Sequence, residues 1–217
     1  MRSIAVIGLS SFGYYLCKYL AEAGVQVMAL DKSEEKVDDV KDLVHKAVIA
    51  DAGDKDTLRD LEITEFDAVV ISVGEEIDTS VLITLYLREL GIKEIIAKAF
   101  TEDHAKILNM IGASTIIFPE KDTARRVAHT LKRTNLFEFF PLGSEYSVIE
   151  IAPPEPWIGK SLAELHVREH YNVQIVMIKE IVPENTIIIP GGKHVLKDSD
   201  VLVLIGANKD LEKVEKL

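Results

Sequence analysis

The segment Gly8-Leu9-Ser10-Ser11-Phe12-Gly13 follows a short apolar run, Ser3–Ile7, and opens a helical pattern. Small residues at this spacing let a backbone approach a phosphate. In the G-x-G-x-x-G pattern the first glycine makes the tight turn, the second admits the pyrophosphate and the third lets the helix pack on the sheet. Gly8 and Gly13 hold the outer places and Ser10 the middle one. Serine is small, and its hydroxyl can donate to a phosphate oxygen. The N–H groups of the helix start, at the positive end of its dipole, would hold a diphosphate. Asp31 ends a second apolar run 23 positions after Gly8, where an acid hydrogen-bonds the ribose hydroxyls of an adenosine. Its carboxylate would repel a 2′-phosphate, which favours ATP, ADP or NAD(H) over NADP. A solvated strand-end acid is the plainer alternative.

Ligands of such sheets sit beyond the carboxyl ends of the strands. Lys32 therefore joins the candidates, with Asp51 and Ala52 after the third run, Val73 and Gly74 after the fourth, and Lys98 after the fifth. Lys98 could offset phosphate charge as a point cation or stand as a surface lysine. No Ser/His/Asp or Lys/Tyr arrangement accompanies these residues, and a hydride-transferring enzyme needs an acid–base group in a substrate pocket. His166-Val167-Arg168-Glu169-His170 fits H-x-x-E-H, the inverted zinc-protease pattern. Its helix is short, Arg168 is cationic, and little chain follows to supply a third ligand, so a solvated helix end is expected instead.

The elements that must position these residues alternate. Ser3–Ile7, Val25–Leu30, Lys46–Ala50, Ala68–Val73, Glu94–Ala97 and Thr115–Phe118 are short apolar runs, as in a parallel sheet covered on both faces. Helical patterns lie between them: Phe12, Leu16, Tyr19, Leu20 and Ala23 before Gly24; Val81, Leu82, Leu85 and Leu90 before Gly91; Ala105, Leu108 and Ile111 before Gly112. This predicts an α/β, Rossmann-like doubly wound parallel sheet. All seven prolines fall between Pro119 and Pro190, and the architecture is expected to change near residues 134–143. A crossover helix over Glu120–Arg133, with Lys132 and Arg133 in its last turn, would join a first domain (1–134) to a small α+β domain (135–217). In the latter, strands are expected at Tyr146–Ile151, Val173–Ile178, Asn185–Ile189 and Val201–Ile205, and helices at Leu162–Val167 and Asp210–Lys216.

Composition sets outer limits. The 217 residues carry a net charge of −11, which disfavours phosphate backbones and anionic lipid as partners, so neither nucleic-acid binding nor lipid insertion is expected. Hydrophobic residues make up 47 %, enough for a core. The single cysteine, Cys17, excludes an internal disulfide and a cysteine-based zinc site and fits a reducing cytoplasm. No apolar run reaches the roughly 18–20 residues of a spanning helix, nor does Met1-Arg2 open a signal peptide.

Taken together, Gly8…Gly13, Asp31, Asp51, Val70-Ile71-Ser72-Val73-Gly74…Thr79, Lys98-Ala99, Ile111-Gly112-Ala113 and Ile117-Phe118-Pro119-Glu120-Lys121-Asp122 resemble the regulator-of-potassium-conductance (RCK) family. Ile158-Gly159-Lys160-Ser161-Leu162 and Asp198-Ser199-Asp200-Val201-Leu202 are similar to that family's C-terminal domain. The likeness runs along essentially the whole chain and is strongest to the stand-alone subunits of bacterial Trk/Ktr potassium-uptake systems. It implies a non-enzymatic gating subunit that binds an adenine nucleotide, ATP/ADP or NAD(H). Homodimers would assemble into a ring, an octamer being the expected size, docked on an integral-membrane potassium-translocating subunit. The chain would then be cytoplasmic, held at the inner face of the cell membrane by that partner. The resemblance also implies that Glu120 helps place a divalent cation near the phosphates across the dimer; a helix N-terminal acid favoured by the dipole is the alternative. Many relatives carry an arginine where Ser11 stands, which puts sharp ATP-versus-ADP discrimination in doubt. Phe137, Phe139 and Phe140 suggest a dimer contact or hinge, or ordinary core. Some relatives bind a cyclic dinucleotide in the segment comparable to that of Arg168, against which the acidity of this lobe and the lack of a second clear basic residue both argue. A small NAD-dependent oxidoreductase and a sensor for another cation transporter stay open beside the leading reading.

Overall fold

The computed structural model describes residues 2–131 and 136–217. It divides into two compact units, Met1–Glu120 and Lys121–Leu217.

The first unit holds strands β1 (Ser3–Ile7), β2 (Gln26–Asp31), β3 (Lys46–Ile49), β4 (Ala68–Ile71), β5 (Ile95–Lys98) and β6 (Thr115–Ile117) in one parallel sheet. Their order is β3-β2-β1-β4-β5-β6, the doubly wound arrangement, and it reverses direction between β1 and β4. Ile7 pairs with Leu30 on one side and Ile71 on the other. The sheet alternates faces with the strand period of two. Ala5, Ile7, Met28, Leu30, Val69 and Ile71 face one core, shared with Leu58, Ile83, Leu87 and Leu108. Ile4, Val6, Val27, Ala29, Ala68 and Val70 face the other, with Cys17, Val37 and Val40. Both faces are buried, which is why these strands read as unbroken apolar runs.

The helices covering the sheet are α1 (Ser11–Glu22), α2 (Glu34–Val40), α3 (Lys55–Asp60), α4 (Ile77–Glu89) and α5 (Glu102–Ile111); α6 (Pro119–Leu131) follows β6 in the chain and belongs, from Lys121 on, to the second unit. Side chains set three of their starts: Ser33 for α2, Asp54 for α3 and Thr101 for α5 each accept a backbone N–H of the first turn. On α5, His104 is buried. Its Nδ1 accepts the Phe100 N–H at 3.2 Å, and its Nε2 has no partner among the described residues. Cys17 lies on the inner face of α1, and burial pushes its thiol pKa up to about 12.

The second unit contains β7 (Leu136–Pro141), β8 (Tyr146–Ile151), β9 (Val173–Glu180), β10 (Asn185–Ile188) and β11 (Val201–Ala207) in an antiparallel sheet ordered β10-β9-β11-β8-β7. It packs with α7 (Leu162–Leu165), α8 (Val167–Tyr171) and α9 (Asn208–Val214) around Trp157, Ile149, Ile178, Leu202, Leu204 and Val214. The doubly wound sheet and the small α+β unit are as the periodicity predicts, with strand ends within two residues.

Three expectations for this region need restating. The helix expected over Leu162–Val167 is two short ones, because His166 takes a left-handed backbone, φ 43°, between them. The aromatic junction is a strand, β7: Phe139 is buried in the core, while Phe137 and Phe140 are exposed. Lys132 and Arg133, expected in the last turn of the crossover helix, lie outside the described residues.

Candidate functional site

The β1–α1 turn is built around two glycines that tolerate no side chain. Gly8 has φ +92°, and a Cβ there would meet the Ser72 carbonyl at 2.5 Å. A Cβ on Gly13 would lie 2.1 Å from the Gly8 oxygen, so only glycine lets α1 sit against the turn. Ser10 occupies the N-cap position of α1 but makes no side-chain cap. Its hydroxyl is instead 2.6 Å from that of Ser72, tying the turn to the end of β4. The opening N–H groups of α1 therefore have no side chain capping them at the positive end of the helix dipole. That arrangement binds anions.

Asp31 braces the same turn from the β2 side. Its Oδ2 accepts the Leu9 N–H at 2.7 Å and its Oδ1 the Ser33 N–H at 2.9 Å, and the Lys36 ammonium lies 3.6 Å from Oδ2. The residue is 9 % exposed, and the two N–H groups fix the orientation of its oxygens.

Between these ends lies a cavity of about 230 Å³, at the switch point between β1 and β4, where such sheets receive ligands. Of the residues expected from sequence, Gly8, Ser10, Asp31, Lys32, Asp51, Ala52, Val73 and Gly74 line it. Leu9 is buried in the α1-side core. Ser11, Phe12 and Gly13 belong to the first turn of α1 and are not in the lining. Asp51 Oδ1 accepts the Gly53 N–H at 2.8 Å, which sets the direction of its carboxylate. Leu82 and Ile83 of α4 add an apolar wall, and Thr79 a hydroxyl.

Sequence reasoning passed over Lys36 and Glu76, both in the lining. The Lys32 ammonium and a Glu76 carboxylate oxygen are 2.7 Å apart. Lys32 is held in its charged form above the usual lysine range, chiefly by its hydrogen bond to Glu76, then by Glu76, Asp51 and Asp31 as charges. The cavity lining thus carries three carboxylates, Asp31, Asp51 and Glu76, and two ammonium groups, Lys32 and Lys36, with uncapped N–H groups at the turn. Lys36 stands one helical turn past the Ser33 cap, and Glu76 directly precedes α4; the cap spacing signals the first, but no periodicity marks the second.

Lys98 and Glu120 are elsewhere. Neither lines the cavity; they pair with each other, Lys98 from the end of β5 and Glu120 from the start of α6. The Lys98 hydrogen bond holds the Glu120 carboxyl below the usual carboxylate range. Among the described residues no three His, Cys, Asp or Glu side chains gather as a metal-holding group, and one carboxylate occupied by an ammonium does not fit a divalent cation within a single chain. His166 and His170 are likewise not set as ligands: His166 breaks the helix, and His170 Nδ1 lies 3.2 Å from the Leu165 oxygen. In the same unit Arg168 lines an open groove of about 420 Å³ with Leu162, His166, Gln174 and Pro190.

Fold and site together define a Rossmann-type protein with a glycine-bounded turn at an uncapped helix start, followed by an antiparallel α+β unit. Residues 4–119 match the TrkA-N domain and residues 146–217 the TrkA-C domain. The chain belongs to the TrkA-N/TrkA-C family. It is 39 % identical over 215 residues to the Ktr system potassium uptake protein C of Bacillus subtilis (strain 168), covering 99 % of this chain and 96 % of that one. It is 36 % identical over 214 residues to the Ktr system potassium uptake protein A of the same organism, covering 99 % and 96 %. Among solved structures, the GsuK channel bound to NAD shares the fold along 100 % of this chain and 38 % of its own, with TM-score 0.57 and 22 % identity. The GsuK structure bound to ADP matches 60 % of this chain and 33 % of its own, with TM-score 0.51 and 25 % identity. Among the described residues no helix is long and apolar enough to cross a membrane.

Proposed function

We propose that this chain is the nucleotide-binding regulatory subunit of a bacterial potassium uptake system and acts without turning its ligand over. The reading is carried by the β1–α1 turn: an uncapped helix start beside Gly8, at a cavity that Asp31, hydrogen-bonded to the turn, also lines. The diphosphate would lie on the turn and the adenosine toward Asp31, Asp51 and Ala52. The whole-length similarity to the Ktr proteins supplies the client, potassium uptake, and the ADP-bound GsuK structure supports an adenine nucleotide. ATP, ADP and NAD(H) are the candidates.

A ligand moves a conformational equilibrium only by its difference in affinity between the two states. Copies of the chain would form dimers and a ring, and nucleotide occupancy would change the ring's shape on a membrane translocator. Calorimetric titration with ATP, ADP, NAD and NADH should show binding by at least one and consumption of none; no binding by all four overturns the reading. Sustained oxidation of NADH against a panel of small substrates would favour an oxidoreductase instead. Co-expression with its membrane partner in a bacterium lacking potassium uptake should restore growth at low potassium.

A second ligand reading rests on the groove at Arg168, where a guanidinium and His166 face an open space of about 420 Å³. A cyclic dinucleotide is the ligand to titrate there, with Arg168→Ala abolishing its binding and leaving that of ADP.

A further inference from the structure

We infer that Glu76 is a specificity-determining residue of the nucleotide cavity: by engaging Lys32 it leaves the sugar end without a free ammonium, so that a ligand phosphorylated on its 2′-hydroxyl is rejected. This rests on the nucleotide reading above and adds a selectivity to it.

Where a Rossmann site accepts a 2′-phosphate, a cation stands beside the end of the second strand to receive it. This chain has two candidates there, Lys32, directly after Asp31, and Lys36, on the first turn of α2. Both line the cavity, so the sequence around β2 could read as suited to a doubly phosphorylated sugar. The structure sets each of the two cations beside a carboxylate. Lys36 is placed against Asp31, and Asp31 cannot turn away because the Leu9 and Ser33 N–H groups fix its two oxygens. Lys32 reaches in the other direction, to Glu76 before α4.

The Lys32–Glu76 pair spans from the β2 side of the crevice to the β4 side, across the turn that follows β1. With Asp51 also in the lining, the sugar end carries three carboxylates against two ammonium groups, each of them matched. An incoming 2′-phosphate would have to displace a carboxylate from a lysine and face the others. Asp31 alone is a weaker barrier, because the two lysines next to it would otherwise compensate. Glu76 lies far from Asp31 in sequence, and the fold alone makes it part of the same electrostatic unit.

The test is a competition against tritiated ADP with two probes that differ only at the 2′-position, 5′-AMP and adenosine 2′,5′-bisphosphate. The measured quantity is the ratio of their affinities. Wild-type protein should prefer 5′-AMP by about tenfold or more, and Glu76→Gln or Glu76→Ala should shrink that preference about threefold to tenfold by freeing Lys32. Adding Lys32→Gln to Glu76→Gln should bring the preference back, because the freed ammonium is then gone. A wild-type protein that accepts both probes equally, a Glu76→Gln variant with the wild-type ratio, or a double variant as permissive as the single one would each overturn the inference. If the wild-type protein retains no tritiated ADP, the competition is run against whichever of ATP, NAD or NADH it binds in calorimetry, and binding of none of the four would overturn the nucleotide reading itself. Both side chains are partly exposed, so the variants should fold, and retained ADP binding confirms it in the same assay.

Discussion

In the proposed site Asp31 would serve in two directions, toward a ligand and toward the turn it braces. Its Oδ2 satisfies the Leu9 N–H in a buried position, so Asp31→Ala leaves that donor unpaired at a cost of about 1–3 kcal/mol. Loss of nucleotide affinity should therefore come with a lower unfolding midpoint, measured by calorimetry and thermal melting on one preparation. Weakened binding at an unchanged midpoint would contradict the bracing role. Gly13→Ala places a Cβ 2.1 Å from the Gly8 oxygen and should destabilise by about 1–3 kcal/mol through overpacking; a urea titration at wild-type midpoint would refute the close approach. His104 gives a pH dependence with a definite sign. Burial lowers its pKa below the ordinary 6.5, so the fold keeps the ring neutral while the unfolded chain takes up a proton. The stability it contributes is complete above pH 6.5 and is lost as pH falls through that value toward the lowered one. His104→Gln should flatten the difference between urea midpoints at pH 7.5 and 5.5. The site was legible to the extent that its residues sit at strand ends: Gly8, Asp31, Asp51 and Val73 each follow an apolar run. Lys98 also ends a strand, yet its ammonium turns to Glu120, 22 residues on. Spacing places a backbone on the rim and says nothing of where a long side chain goes.

Elements were readable where burial is uniform and obscure where it is mixed. The central strands β1, β2 and β4 show as apolar runs because both their faces are buried, and Tyr146–Ile151 shows because its burial alternates strictly. In contrast, β7 carries a register shift between Leu136 and Glu138, which breaks the alternation, so Phe137 and Phe140 face solvent while Phe139 is core. The break at His166 was hidden for another reason: a left-handed residue leaves no trace in a hydrophobic pattern. A β-carbon there costs about 1–2 kcal/mol relative to right-handed backbone, and glycine would not bear that cost. His166→Gly is accordingly expected to leave the midpoint of thermal unfolding unchanged or to raise it. A pronounced drop would mean that the imidazole, 3.3 Å from Glu169, holds the α7–α8 turn together.

At the scale of the molecule, the first unit has a core on each face of its sheet and the second unit has its own, and the proposed ligand touches only the first unit. A nucleotide at one hundred times its dissociation constant should stabilise the protein by about 2.7 kcal/mol. Hydrogen exchange should place the added protection in β1, β2, β4 and the start of α1, and not in the five-stranded sheet. Protection that appears first in the second unit would move the primary site to the Arg168 groove. The net charge of −11 fits a chain that meets other proteins rather than phospholipid, and a membrane translocator would be approached through side chains of opposite charge. One buried atom makes such questions easier to ask. The Cys17 sulfur is enclosed on the inner face of α1, where burial pushes its pKa up to about 12, and it is expected not to react with maleimides in the folded state. Because it is the sole cysteine, the natural sequence already has a silent background for labelling. A single surface cysteine placed on either unit would carry a fluorophore or spin label alone, and distances between the two units, or between copies of the chain, could be followed with and without nucleotide.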